Sequence, residues 1–343
     1  MKIDCLNFYR CPVSFTKLNI DANSKIQDDE VIEGFLINGS GEKFLVSNGI
    51  PDFTNKSVLI GDAAFARKYY AGIADTYDEN VDITFKLYNE REMVVRNKLI
   101  DLLGIEKEDK ILEVSCGTGK DAEIIVSKLS GKGHLTCLDI SPEMITQACK
   151  KLKGYAVPRV DFVIASACAL PFEDNTFNKL FCFAGIGHFP DIRKGLAEMT
   201  RVVKPGGKVV FCEKNVPPWL KQTEYGKILI NNNPMFDLPV PLEDIPVEAR
   251  DVSLRWVNGN VHYVVDYTVG CGEPKGNFDL ELPGARGGTF NTRYHGKLEG
   301  VTPEVKELAI EAREKLGISM HKWLNDLIRS EAESVLDNDG AKK

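Results

Sequence analysis

Two glycines and an aspartate are the first residues whose types and spacing suggest chemistry. In "ILEVSCGTGKD", Ile111 to Asp121, an apolar run stops abruptly and is followed by Gly117 and Gly119. Lacking Cβ atoms, these residues can take positive φ, and the loop amides can lie close against a bound molecule. Asp139 ends the next apolar run, "HLTCLDI", about twenty residues further on, where a carboxylate can accept hydrogen bonds from a ribose diol. Loop and acid together point to a nucleoside-containing ligand. A dinucleotide loop would carry a third glycine three residues beyond the second, and Ala122 stands there instead.

The elements that must hold these residues are legible around them. From Lys110 to Cys212 the runs "KILEVS", "HLTCLDI", "VDFVIAS", "KLFCFAG" and "GKVVFCE" alternate with the helical stretches "DAEIIVSKL", "PEMITQACKKL" and "RKGLAEMTRVV". That alternation predicts a parallel sheet with helices on both faces, whose ligands lie outside the carboxyl ends of the strands. Ala63 to Leu103 reads as helical, with apolar residues at three- and four-residue intervals. Beyond the sheet, "DVSLRWV" and "VHYVVDYTVG" flank Asn258-Gly259 and predict an antiparallel hairpin. Between them and the sheet, residues 218–250 form an insertion in which Trp219, Tyr225 and Phe236 are candidates for an apolar lid, or for a satellite core.

Composition limits the class. A chain of 343 residues with 43% hydrophobic and 27% charged residues reads as a globular protein of more than one domain. No window approaches the roughly 18 apolar residues of a membrane span. The N-terminus shows no apolar export segment, so a cytoplasmic location is expected. Nine cysteines, an odd number scattered over predicted strands and helices, read as reduced buried thiols. The formal charge of −7 argues against general polyanion binding.

The central segment, from about Tyr69 to Cys212, resembles the class I S-adenosylmethionine-dependent methyltransferases, closest to the subgroup that includes quinone C-methyltransferases. "ILEVSCGTGKD" resembles their motif I, which would place Glu113 toward the amino acid end of S-adenosylmethionine and Ser115, Cys116, Gly117 and Gly119 in the cofactor loop. "CLDISPEMI" resembles the ribose and adenine motif, implying Asp139 on the diol and Ile140 and Met144 against the base. "ALPFEDNTFNKLFC" resembles the third motif, implying a cofactor turn at Ser166, Ala167 and Cys168. "MTRVVKPGGKVVF" resembles the helix and turn before strand five. Two departures stand out: Ser115 replaces the usual first glycine, and Ser166 replaces an acid that usually meets the adenine amine. Asn178 replaces a common aspartate.

The same resemblance implies that His188, in "AGIGHFPD", lies on the acceptor side as a base, and that Tyr77, in "YYAGIADTYDE", lines a pocket under a closing helix. A packing role competes for each. Thiols at Cys168, Cys182 and Cys212 raise arsenic methylation as a minor alternative to plain burial.

Both ends carry further resemblances. "FYRCPVS" with "GFLINGSGEKFLVSNGIPDF" looks like a small zinc-ribbon module, but only Cys11 keeps a ligand position, Ser14 takes the next and Cys5 is a spare thiol. No metal is expected. "TFNTRYHGKLEG", "TPEVKELAIEAREKLG" and "SMHKWLNDLIRSEAESVL" resemble a ribbon-helix-helix unit, implying a homodimer. Thr302 is its expected N-cap, with Pro303 in the first turn. Arg293, His295 and Lys297 would alternate on the ribbon face that reads DNA in such proteins. From Thr289 onward, however, nine Lys and Arg against ten Asp and Glu leave a net −1, which favours dimerisation over DNA binding.

The expected architecture is therefore α/β. Residues 1–55 form a degenerate zinc-ribbon-like, β-rich module. Residues 56–288 form a Rossmann-like, seven-stranded, doubly wound methyltransferase sheet, and residues 289–343 a ribbon-helix-helix-like extension. The expected activity is methyl transfer from S-adenosylmethionine to a small or lipophilic acceptor. The alternative is a dimeric DNA-binding regulator with a cofactor-sensing domain.

Overall fold

The computed structural model describes the chain except residues 56–58, 60, 156–158, 284–287, 296–300 and 340–343. It divides into two compact units, Met1–Pro274 and Lys275–Lys343. The division lies ahead of residue 289, and residues 1–55 belong to the first unit.

In the first unit, among the described residues, five short strands lead: β1 (Leu18–Ile20), β2 (Lys25–Gln27), β3 (Glu30–Asn38), β4 (Lys43–Ser47) and β5 (Ile50–Asp52). The helical stretch follows in four pieces, α1 (Gly61–Ile73), α2 (Tyr77–Val81), α3 (Ile83–Lys86) and α4 (Glu92–Asp101). The alternating region then runs β6 (Lys110–Val114), α5 (Lys120–Lys128), β7 (His134–Asp139), α6 (Pro142–Leu152), β8 (Arg159–Ile164), β9 (Phe177–Phe183), α7 (Ile192–Arg201) and β10 (Val203–Lys214). The insertion contributes α8 (Glu224–Asn232), and the hairpin is β11 (Ala249–Val257) with β12 (His262–Val269).

The strand order is β1-β3-β4-β5-β8-β7-β6-β9-β10-β12-β11, with β2 paired to β3. Strands β8, β7, β6, β9 and β10 run parallel, and β12 pairs antiparallel with both β10 and β11, the latter across the Asn-Gly turn as predicted. Order reverses between β6 and β9, and the loop leaving β6 starts at that point, with the carboxyl end of β7 beside it. The central strands are buried on both faces, which is why they read as continuous apolar runs and not as alternating ones. Ser141 caps α6 by accepting the Met144 amide (3.3 Å), with Pro142 in its first turn, and Asp191 caps α7 by accepting the Lys194 amide (2.9 Å).

The N-terminal strands do not form a separate module. β5 joins β8 in parallel through Asp52 and Ile164 and extends the sheet. Tyr9, Cys11, Val31, Leu36, Phe44 and Phe53 share one core with Val114, Leu138, Phe172, Phe177 and Phe211 of the central region. The Cys11 thiol sits among hydrogen bonds: Asn38 Nδ2 (3.3 Å) and the Ser14 amide (3.5 Å) donate to it, and it donates to Glu42 Oε2 (3.4 Å). Cys5, fully buried, accepts from Arg159 (2.8 Å) beside the Asp161 carboxylate. Among the described residues no group of three or more His, Cys, Asp or Glu side chains is placed to hold a metal ion.

In the second unit the strand expected to open the C-terminal segment is a helix, α9 (Phe290–His295), so Arg293 and His295 do not lie on a ribbon. Lys297 lies outside the described residues. A lone strand has no ladder within one chain, whereas a helical turn satisfies its backbone locally. The two expected helices follow as α10 (Pro303–Leu316) and α11 (Met320–Asp339). Thr302 holds the N-cap position of α10 without a side-chain capping bond, and Gly317 ends that helix at φ 65°. No described residue of this unit is buried. Among the described residues no helix is long and apolar enough to cross a membrane.

Candidate active site

The loop leaving β6 turns on residues in the left-handed region: Ser115 at φ 58°, Gly117 at 52° and Gly119 at 81°. Each has a different reason to be there. A Cβ on Gly117 would meet nothing within 4 Å, so the Cα of this residue borders open space in the cleft. A Cβ on Gly119 would lie 3.2 Å from the Ala148 Cβ, so this glycine lets α5 and α6 pack closely. Ser115 carries the hydroxymethyl group that the motif normally lacks, and Gly185, after β9, makes room for it. A Cβ on Gly185 would collide with Ser115 Oγ.

Asp139, at the end of β7, divides its carboxylate between two amides. Oδ2 accepts from Gly117 (2.8 Å) and Oδ1 from Ser141 (2.9 Å), which leaves each oxygen a lone pair for a further donor. Burial raises its pKa above the usual carboxylate value, partly offset by these amides and by that of Ile140. Beneath the loop Glu113 is buried, with Oε2 unpartnered. Burial, with Cys137 and Asp121 nearby, pushes its pKa well up. Asp121 Oδ1 is a second orphaned carboxylate oxygen. Buried orphan acceptors are uncommon and suit a cationic or donor ligand group. Arg96 of α4 offsets part of this negative charge, pairing with Glu92 (2.8 Å) and Asp121 while lying over the Phe85 and Phe183 rings.

A cleft opens over these groups between two walls. One wall comes from α1 and α2, with Ala63, Ala66, Tyr70 and Tyr77. The other comes from the strand ends, with Ser115, Gly117, Asp139, Ile140, Met144, Ser166 and Ala167, and then Phe183, His188 and Phe189. Of the residues named from sequence, Tyr77, His188 and these seven line the cleft. Glu113, Cys116, Gly119 and Cys168 do not: Glu113 lies in the strand, Cys116 points into the core, Gly119 serves packing and Cys168 donates to the Asp191 carbonyl (3.2 Å). Ser166 already accepts the Cys168 amide (3.2 Å), which leaves its O–H free to donate. Asn178 accepts the Lys110 amide (2.9 Å).

His188 sits edge-on to Tyr70, ring centres 5.6 Å apart. Burial lowers its pKa below 6.5, with Glu213 opposing, so the imidazole is neutral at pH 7. Burial pushes the Tyr77 phenol up to about 12. Glu213, at the end of β10, holds the His188 turn by accepting the Gly187 amide (3.0 Å). Sequence reasoning missed Tyr70, Phe183, Phe189 and Glu213. All four lay within stretches already quoted, "YYAGIADTYDE", "KLFCFAG", "AGIGHFPD" and "GKVVFCE".

Of the two readings of the insertion, lid or satellite core, the lid is not seen, since Trp219, Tyr225 and Phe236 do not line the cleft. Trp219 is exposed against Trp256, Tyr225 donates to the Gly259 carbonyl (2.7 Å), and Phe236 is buried with Val216 and Val261 in a satellite core. Met235 is the insertion's contribution near the site, since its Cε occupies the space that a Cβ on Gly187 would need. Cys168, Cys182 and Cys212 are buried, and burial raises the pKa of each. Reactive thiols need the opposite environment.

Residues 61–225 match the model of the ubiE/COQ5 methyltransferase family. A demethylmenaquinone methyltransferase from Bacillus pumilus is 36% identical over 146 residues, 42% of this chain and 61% of that protein. One from Listeria welshimeri is 31% identical over 156 residues, 44% of this chain and 64% of that protein. The chain thus spans less than two thirds of the length of these curated relatives. A solved SAM-dependent methyltransferase from Aquifex aeolicus is 20% identical and overlays with a TM-score of 0.39, over 51% of this chain and 89% of that one.

Proposed function

We propose that this chain is an S-adenosylmethionine-dependent methyltransferase acting on a small, lipophilic, aromatic acceptor of the quinol type. The observation that carries the reading is the Asp139 carboxylate, anchored by two amides yet keeping free lone pairs, in a cleft floored by the glycine loop. The acceptor class is taken from the relatives' name and suits a cleft lined by Tyr70, Phe183 and Phe189.

Bound S-adenosylmethionine supplies a methyl group already activated on a sulfonium, which a nucleophile takes by in-line displacement. The protein's own part is positioning and proton handling. Asp139 would accept the ribose hydroxyls, Ile140 and Met144 would flank the base, and Ser166 would donate toward it. Asp121, with its orphaned oxygen, would favour a cationic amino acid end across the loop of Ser115 to Gly119, and Glu113, pushed toward its neutral form by burial, would serve there as a hydrogen-bonding group. Neutral His188 accepts the proton that an acidic acceptor must lose, and Tyr70 and Tyr77 keep water from the reacting atoms.

The second unit we assign to pairing with a second copy of the chain. Its helices expose Leu308, Leu316, Leu327 and Leu336, and a three-helix unit in which no described residue is buried cannot stand alone. DNA recognition loses its ground, because the base-reading ribbon is helical where described and the segment's charge is not basic. Light scattering on the full chain tests the pairing, and a monomer at micromolar concentration would refute it.

Calorimetric titration with S-adenosylmethionine and S-adenosylhomocysteine tests the cofactor. Micromolar binding, followed by methyl transfer to a reduced demethylated naphthoquinone, is expected. Absence of binding would refute the reading, and binding without transfer to any quinol would refute the acceptor class alone.

A further inference from the structure

Helix α2 is tied to the opposite wall of the cleft by a polar triangle. Thr118 Oγ1 donates to Asp78 Oδ1 (2.5 Å), and Lys151 Nζ donates to Asp78 Oδ2 (2.7 Å). Lys151 Nζ also lies 3.4 Å from Thr118 Oγ1. The three residues come from α2, from the glycine loop and from α6. In the same region, Gln147 of α6 donates to Asp75 Oδ1 (2.5 Å), between α1 and α2.

Placement gives these bonds meaning. Asp78 follows Tyr77, which lines one wall, and Thr118 follows Gly117, which lines the other. Thr118 is 3% exposed and Asp139 only 7%, so a nucleoside reaching that carboxylate must pass between walls that the triangle holds together. Burial alone would raise the Asp78 pKa, but the bonds from Lys151 and Thr118 outweigh it and hold it below the usual value, so the ion pair is complete at neutral pH. Bonds that span a cleft resist its opening without adding contacts to what lies inside.

We propose that Asp78, Thr118 and Lys151 form a latch that sets how fast the cofactor enters and leaves, more than how tightly it binds. The inference rests on reading the cleft as the S-adenosylmethionine site. Charge-assisted hydrogen bonds at a half-exposed carboxylate should slow opening by roughly tenfold.

The test preloads the full chain with tritiated S-adenosylhomocysteine and chases it with unlabelled ligand, with association rates measured separately. In Asp78→Ala both release and association should quicken about tenfold, leaving Kd within roughly threefold. Lys151→Met should move both rates in the same direction by less, and it decides the matter if Asp78→Ala fails to fold. Unchanged rates in variants of a binding-competent protein would overturn the latch alone, as would a Kd change carried by release alone. A wild-type chain that does not bind S-adenosylhomocysteine would overturn the cleft reading, and the latch with it.

Discussion

Asp139 Oδ2 accepts the Gly117 amide at 2.8 Å, so the acid that ends one strand fixes the loop that leaves its neighbour. The same carboxylate therefore shapes the floor of the cleft and offers acceptors into it. Asp139→Ala should weaken S-adenosylmethionine binding by about 100-fold or more and lower stability by about 1–3 kcal/mol. Asp139→Asn should not restore it, because one amide oxygen faces two backbone donors and the NH2 group opposes one of them. Calorimetry on both variants checks this, and near-native affinity in the asparagine variant would count against the diol role.

Ser115 and Gly185 form a matched pair, one side chain gained and one withheld. Gly185→Ala drives a methyl group into Ser115 Oγ and should destabilise by about 1–3 kcal/mol. Ser115→Gly removes both the clash and a non-glycine residue at φ 58°, and should rescue the double variant almost fully. Urea unfolding of the four proteins measures the coupling, and additive effects would contradict the pairing.

Gly187 is hemmed in by Met235 and Glu213: an added methyl group would overlap Met235 Cε and stand 3.2 Å from Glu213 Oε2. Gly187→Ala should therefore displace the flexible end of Met235 and crowd the Glu213 carboxylate that holds the His188 turn, while leaving the Asp139 end untouched. Turnover on a quinol should fall about tenfold or more with cofactor Kd within about threefold. Equal losses in both would mean that the turn supports the whole cleft.

His262 is 2% exposed and stacks with Phe183, ring centres 5.8 Å apart. Burial, with Lys214 and Arg96 adding, pushes its pKa down to about 3 from 6.5. A base with a depressed folded pKa contributes stability above its unfolded value, and that contribution drains as pH falls from 6.5 toward 3, by on the order of 4 kcal/mol. His262→Phe should flatten the fall in urea midpoint between pH 7 and pH 4. An unchanged slope would place the acid sensitivity elsewhere.

The central strands could be read from the chain because their signal is local. "KILEVS" and "HLTCLDI" are continuous apolar runs since helices cover both faces, and Asp139 and Gly117 follow from where such runs end. Tyr70 and Glu213 were harder to find, since a tyrosine on a helix and an acid at a strand end have many ordinary uses. Only the fold shows one against His188 and the other beneath Gly187. The C-terminal run "TFNTRYH" misled for the opposite reason, since its strand character depends on a partner strand that the single chain does not supply.

By itself, then, the sequence determined the order of strands and helices in the central region, the hairpin at Asn258-Gly259 and the pairing of glycine loop and acid that floors the cleft, because each is set by periodicity, turn chemistry or short spacing. Tertiary structure alone decided that the N-terminal strands extend the sheet through Asp52 and Ile164, that Ser115 fits because Gly185 yields, and that Phe236 packs in a satellite core and leaves the cleft uncovered. Those outcomes depend on which distant side chains compete for the same space, and that competition exists only once the chain has closed on itself.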